Sequence, residues 1–119
     1  MKKNISPHVQ IYKFPITAIS SITNRVTGLG LTGFFIIGGI GNLFNINYKE
    51  KYNNLKYPYQ KIINYSFYFP LSYHTFGGIR HFIWDKYPHL LNNKSVAKSS
   101  IFLLGFSVCN TFLLDNLFT

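Results

Sequence analysis

The residues of this 119-residue chain best equipped for chemistry fall in one short run, HTFGGIRHFIWD, from His74 to Asp85. Wound as a helix at about 100° per residue, Gly77, Gly78, His81 and Asp85 all lie within about 60° of His74. Two imidazoles, two glycines and a carboxylate then share one stripe. A neutral imidazole is a metal ligand, and glycines beside it leave room for a large flat group against the backbone. Haem fits such a stripe. Two axial ligands must approach an iron from opposite faces, so one histidine of this helix would ligate it and the second ligand would come from elsewhere, another chain included. The plainer reading of the same residues is a pair of membrane histidines, His74 bonding between helices and His81 merely interfacial. Pro70, one turn before His74, removes a backbone hydrogen bond and bends the helix toward the site.

A second pair is Ser21 and Arg25, at i and i+4 and so on one helical face. A hydroxyl and a guanidinium there can bind a carbonyl or a propionate at a membrane boundary, or the arginine can snorkel to headgroups as a topology anchor. Gly28, Gly30 and Gly33 spell G-x-G-x-x-G, but the nucleotide fingerprint needs a preceding strand and a soluble βαβ unit, and here it opens an apolar run. Cys109 lies in apolar surroundings and reads as inert packing. His8 and His89 lie in polar segments and read as solvated.

The elements that must position these groups are read from hydropathy. The chain is 47% hydrophobic and only 13% charged, with twelve Lys and Arg against three Asp and Glu, a net charge of +9. An ordinary soluble domain carries roughly 25% charged residues. Disorder is excluded by the apolar content, and a single cysteine excludes an internal disulfide framework or a multi-cysteine metal site. A basic membrane protein or a basic nucleic-acid binder remains. The stretch TGLGLTGFFIIGGIGNLF, Thr27 to Phe44, has no formal charge. It argues for the membrane and against nucleic acid. A bilayer core of about 30 Å needs about 20 mostly apolar residues.

The expected fold is an all-α membrane protein, a single domain over residues 1–119. It has an amino-terminal arm at 1–15 and three transmembrane helices near 17–45, 62–84 and 99–117. Gly30, Gly33, Gly38 and Gly41 share one broad side of the first helix, the expected contact with another helix. The arm has neither a signal-peptide core nor the Arg and Ser content of a transit peptide, so the mature chain is expected to start near Met1. The distribution of lysines places the amino terminus on the cytoplasmic or matrix side.

Two blocks, SPHVQIYKFPITAISSITNRVTG from Ser6 to Gly28 and HTFGGIRHFIWD from His74 to Asp85, closely resemble the large cytochrome b anchor subunit of succinate dehydrogenase, respiratory complex II. The second block fits the pattern H-x-x-x-G-[apolar]-R-H-[apolar]-x-[aromatic]-D at every constrained position. Both blocks stand in the expected order around three spans. The resemblance implies that His74 is the axial ligand of haem b, opposite a histidine of the small anchor subunit. It implies that Ser21 and Arg25 line a ubiquinone pocket beside the iron–sulfur subunit, and that Arg25 and His81 lie near the haem propionates. Asn24 departs from the histidine that bacterial relatives often carry before the arginine, which removes a cationic propionate partner.

Succinate oxidation would belong to the flavoprotein and iron–sulfur subunits, whose motifs this chain lacks, so it would not be catalytic alone. It would be a multi-pass protein of the mitochondrial inner membrane, or of a bacterial inner membrane, in contact with lipid. The alternative is a purely structural membrane anchor without haem. Heavy use of Asn, Lys, Ile, Tyr and Phe suits an AT-rich organelle genome.

Overall fold

The computed structural model describes residues 15–118, and those residues form four helices. They are α1 (Ile16–Leu43), α2 (Tyr48–Asn53), α3 (Tyr57–Lys86) and α4 (Asn93–Phe118), with a single 3₁₀ turn at Pro88–Leu90 before α4. The expected start near Met1, His8 and most of the amino-terminal arm lie outside the described residues.

Local chemistry sets the ends. Pro15, extended at ψ 149°, precedes the first turn of α1. At the other end Asn45 takes a left-handed φ of 54°, a conformation that asparagine tolerates better than most residues. That turn lets the Ile46 N–H reach the Gly41 carbonyl at 2.8 Å. α2 lies inside the polar break that separates the first two expected spans. It is capped by Asn47, whose side chain accepts from the Glu50 N–H at 3.2 Å, satisfying an orphan donor of the first turn. Asn92 does the same for α4, accepting from the Ser95 N–H at 2.8 Å. α3 runs unbroken through Pro70.

α1 and α4 are both long and apolar enough to cross a bilayer. α3 is longer, at 30 residues, but more polar. The expected spans near 17–45 and 62–84 fall on α1 and α3. The third, near 99–117, begins about two turns late, because Asn93 to Lys98 are helical although polar.

The three long helices pack side by side, and what they bury is unusual. The buried residues include Ser20, Thr27, Asn64, Ser72, Ser100, Ser107, Thr111 and Asp115, while among the described residues the large apolar ones buried are only Leu31, Tyr73 and Leu103. Phenylalanines and isoleucines point outward instead. This is the pattern expected where the outside is lipid or a partner helix: small hydroxyl residues let backbones approach, and apolar side chains face a solvent as apolar as themselves. The buried hydroxyls raise no problem of satisfaction, because most bond back to their own helix. Ser107 donates to the Leu103 carbonyl at 2.7 Å, Thr111 to the Ser107 carbonyl at 2.8 Å, and Thr27 to the Thr23 carbonyl at 2.9 Å.

The glycine face of α1 divides. Gly41 packs inside the chain, under the Tyr48 ring, whose hydroxyl donates to the Ile37 carbonyl at 2.9 Å. Gly30, Gly33 and Gly38 meet nothing within 4 Å among the described residues, so none of the described helices packs against them. Cys109 is exposed on the outer side of α4, which corrects its reading as packing.

At the α2 end of the bundle, Asp115 is 2% exposed. Its carboxylate accepts from Asn64 Nδ2 at 2.8 Å and pairs with Lys61 Nζ at 3.1 Å. Tyr52 of α2 donates to Asn64 Oδ1 at 2.9 Å, tying the short helix into the same cluster. Asp115→Leu is expected to destabilise the bundle by about 1.5–3 kcal/mol through the lost charge-assisted hydrogen bond from Asn64. Glu50→Gln, at an exposed site, should stay within about 0.5 kcal/mol. Denaturation midpoints of the purified complex measure both; equal midpoints would show that Asp115 stabilises nothing.

Candidate functional site

His74, His81 and Asp85 are all exposed on one side of α3, as the expected stripe requires. Gly78 is open, with nothing within 4 Å of the position a Cβ would take. Gly77 is different. It is buried, and the Asn24 amide of α1 fills the space beside it. The room for a flat group therefore lies at Gly78 and not at Gly77.

The His74 ring is held by α1. A Cβ at Gly28 would sit 2.7 Å from His74 Cε1 and 3.1 Å from Nδ1, so the absence of a side chain there makes the seat for the imidazole. His74 Nδ1 lies 3.0 Å from the Asn24 carbonyl oxygen. A carbonyl can only accept, so this bond fixes the tautomer with Nδ1 protonated and leaves the Nε2 lone pair without a partner among the described residues. A ring oriented through its other nitrogen is the usual support of a metal-bound imidazole. Among the described residues no group of three or more His, Cys, Asp or Glu assembles, so His74 joins no chelating cluster among them. A single imidazole, outward-facing and fixed in tautomer, fits one axial position of a haem.

Ser21 and Arg25 are exposed. Gly28 lies about 60° from Arg25 and closer still to Ser21 around α1, at about 100° per residue. The His74 seat and the Ser21–Arg25 pair are thus on adjoining parts of one helix surface. Asn24 turns its side chain inward, and its Oδ1 is buried without a hydrogen-bond partner among the described residues.

Beneath this surface lies a cluster that the sequence pattern does not single out. Arg80 of α3 donates from Nη2 to Ser20 Oγ of α1 at 3.1 Å and from Nη1 to Ser100 Oγ of α4 at 2.9 Å. Ser20 Oγ is also 3.0 Å from the Tyr73 hydroxyl, and Tyr73 is 1% exposed. The guanidinium stacks on the Trp84 ring at 4.5 Å, and Trp84 meets His81 edge-on at 5.4 Å. One cation joins all three long helices and reaches, through Trp84, the second histidine of the stripe. Its signal in the sequence is a charge inside an otherwise uncharged span, which must be paired to be tolerated.

Residues 1–114 match the model of the succinate dehydrogenase/fumarate reductase transmembrane subunit family. The chain belongs to that family. It is 36% identical over 108 residues to the mitochondrial succinate dehydrogenase cytochrome b560 subunit of Dictyostelium discoideum, an alignment covering 84% of this chain and 54% of that protein. It is 34% identical over 124 residues to the succinate dehydrogenase cytochrome b560 subunit of Reclinomonas americana, covering 95% of this chain and 84% of that one. A yeast relative named mitochondrial inner membrane protein SHH3 is 30% identical over 123 residues, covering 95% of this chain and 63% of its own. The chain therefore spans about half the length of the Dictyostelium relative and most of the Reclinomonas one.

Within this family member, the two adjacent serines have opposite surroundings. Ser20→Ala is expected to lower stability by about 1–3 kcal/mol, because it leaves the Arg80 guanidinium short of an acceptor in a water-poor interior. Ser21→Ala should lie within about 0.5 kcal/mol of the parent. Unfolding of the two variants in parallel tests the assignment; the reverse order would show that α1 is rotated from the orientation described.

Proposed function

We propose that this chain is a membrane-anchor subunit of succinate:ubiquinone oxidoreductase in the mitochondrial inner membrane. It holds haem b jointly with a small anchor subunit and forms part of the site where ubiquinone is reduced. The carrying observation is the His74 ring, seated on Gly28 with Nδ1 on the Asn24 carbonyl and Nε2 without a partner among the described residues. Family membership and the names of the matched relatives support the anchor role and the membrane. α3 is the middle of three spans in this reading, its buried residues Asn64, Ser72 and Tyr73 turned toward α1 and α4, with the amino terminus on the matrix side. The flavoprotein and iron–sulfur subunits would dock on that side.

His74 would hold the haem iron through Nε2, with Arg25 and His81 near the propionates. When bound, haem b supplies a one-electron carrier beside the quinone site. The chain's own residues do the rest. Gly28 and the Asn24 carbonyl keep the imidazole in one orientation and one tautomer. Arg25 places a fixed cation where negative charge develops on a quinone oxygen, which lowers the energy of that charge. Ser21, on the same face, donates a hydrogen bond to the ring oxygen. Asn24, with its side chain turned inward, leaves the propionates to Arg25 and His81.

A second reading is a structural anchor without haem, with His74 serving only to bond α3 to α1. The His74–Asn24 contact is compatible with it, and the yeast relative's name assigns no cytochrome. The two readings part on spectra. His74→Ala should abolish or alter the low-spin haem spectrum of the purified complex. Gly28→Ala, which puts a methyl into the ring's seat, should shift the spectrum, while Gly30→Ala should leave it unchanged. No haem band in the parent complex would establish the structural reading, and a parental spectrum in His74→Ala would remove His74 as the ligand.

For the quinone, Arg25→Lys and Ser21→Ala should each slow turnover about tenfold to a hundredfold, the equivalent of one charge-assisted hydrogen bond of about 1.5–3 kcal/mol. Lysine keeps the charge but lacks the planar fork of donors. Electron transfer from succinate to an artificial acceptor that bypasses the membrane site should be unaffected. Normal quinone reduction in both assembled variants would remove these residues from the site.

A further inference from the structure

On the far side of α3 from His74, the α3–α4 seam opens into an apolar groove of about 240 Å³ lined by Phe76, Ile79, Ile83, Phe102 and Phe106, with Arg80 at its floor. The aromatic wall is rigid: Phe76 meets Phe106 edge-on at 4.7 Å, and Phe102 stacks on Phe106 at 5.9 Å. Phe76, Ile79 and Ile83 lie within about 40° of the direction opposite His74, at about 100° per residue.

The groove runs toward the end of the bundle where α3 closes and α4 begins, and that end is basic. Lys94 and Lys98 continue the i, i+4 row of Phe102 and Phe106 upward along α4, and Lys86 stands seven residues beyond Ile79 on the same row of α3. All three lysines are exposed. The acids lie elsewhere: Asp85 is on the His74 stripe, while Glu50 and Asp115 are at the other end of the bundle. An apolar slot ending in exposed lysines that form no ion pair among the described residues, at a membrane boundary, matches one amphiphile in shape and charge. We propose that the α3–α4 groove holds an acyl chain of an anionic phospholipid, whose headgroup sits among Lys86, Lys94 and Lys98.

A partner helix is the competing occupant. The geometry disfavours it, on the haem reading given above. A subunit that brings the second axial histidine must cover the His74 face, and the groove is on the opposite one. Bilayer is then what the groove meets.

The test uses the assembled complex in its native membrane, with a photo-crosslinking phenylalanine analogue in place of Phe102. Mass spectrometry then identifies the adduct, and the haem spectrum is recorded on the same preparation. The expected adduct is an anionic phospholipid. In the Lys94→Gln/Lys98→Gln background its yield should fall about tenfold, as expected for two lysines near a charged headgroup. An adduct to another subunit, or lipid adducts whose headgroup composition ignores the lysine changes, would overturn the proposal. A missing haem band with the anionic adduct retained would defeat the haem reading and leave the lipid site standing.

Discussion

One half-buried cation organises this molecule. The Arg80 guanidinium sits where three helices meet, partly withdrawn from its surroundings, with Nε buried and without a hydrogen-bond partner among the described residues, and an unpaired charge there is expensive. Two serine hydroxyls from different helices and the face of Trp84 replace water. Each of those partners is usable in only one rotational setting of its helix. Satisfying Arg80 therefore fixes the rotation of α1 and α4 against α3. The surface placement of Ser21, Arg25, Gly28 and His74 follows from that rotation, although none of them touches the guanidinium.

The bundle is inverted relative to a soluble protein, and the inversion serves the same end. Serine and threonine at the seams let backbones come close while bonding back to their own helices. Close approach is what lets Gly28 meet the His74 ring directly. A larger residue at the α1–α3 seam would hold the helices apart and leave the imidazole free to rotate. The apolar side chains displaced to the outside are then left to face an apolar surrounding.

Much of this was legible in the sequence, and the reasons differ by feature. The helices were readable from uncharged runs parted by polar ones, and the outward stripe of His74, Gly78, His81 and Asp85 from helical periodicity alone. Gly77 was misread because periodicity says which residues share a face but not which neighbour already fills the space; Asn24, more than fifty positions earlier, does so. Ser20 was passed over for Ser21 for a related reason. Which of two adjacent serines faces the interior depends on the rotation of α1, and that is set by Tyr73 and Arg80, far away in the chain. Cys109 was taken as interior from its apolar neighbours, a rule that holds in water and reverses in a bilayer. The start of α4 was placed late because Asn93 to Lys98 are polar, although a helix can project beyond the hydrocarbon core.

The Asp115 carboxylate also bears on the order in which the chain is built. It stands in the last turn of α4, and Lys61, which neutralises it, and Asn64, which donates a hydrogen bond to it, belong to the first turns of α3. As the polypeptide emerges from the ribosome, α1 and α3 can pair through Ser20, Tyr73 and Arg80 before α4 exists. Within α4 the nearest lysine, Lys98, is seventeen residues before Asp115, so the acid takes its ion pair from α3 instead. Asp115 thus acts as a latch, closing α4 onto a pair of helices made before it.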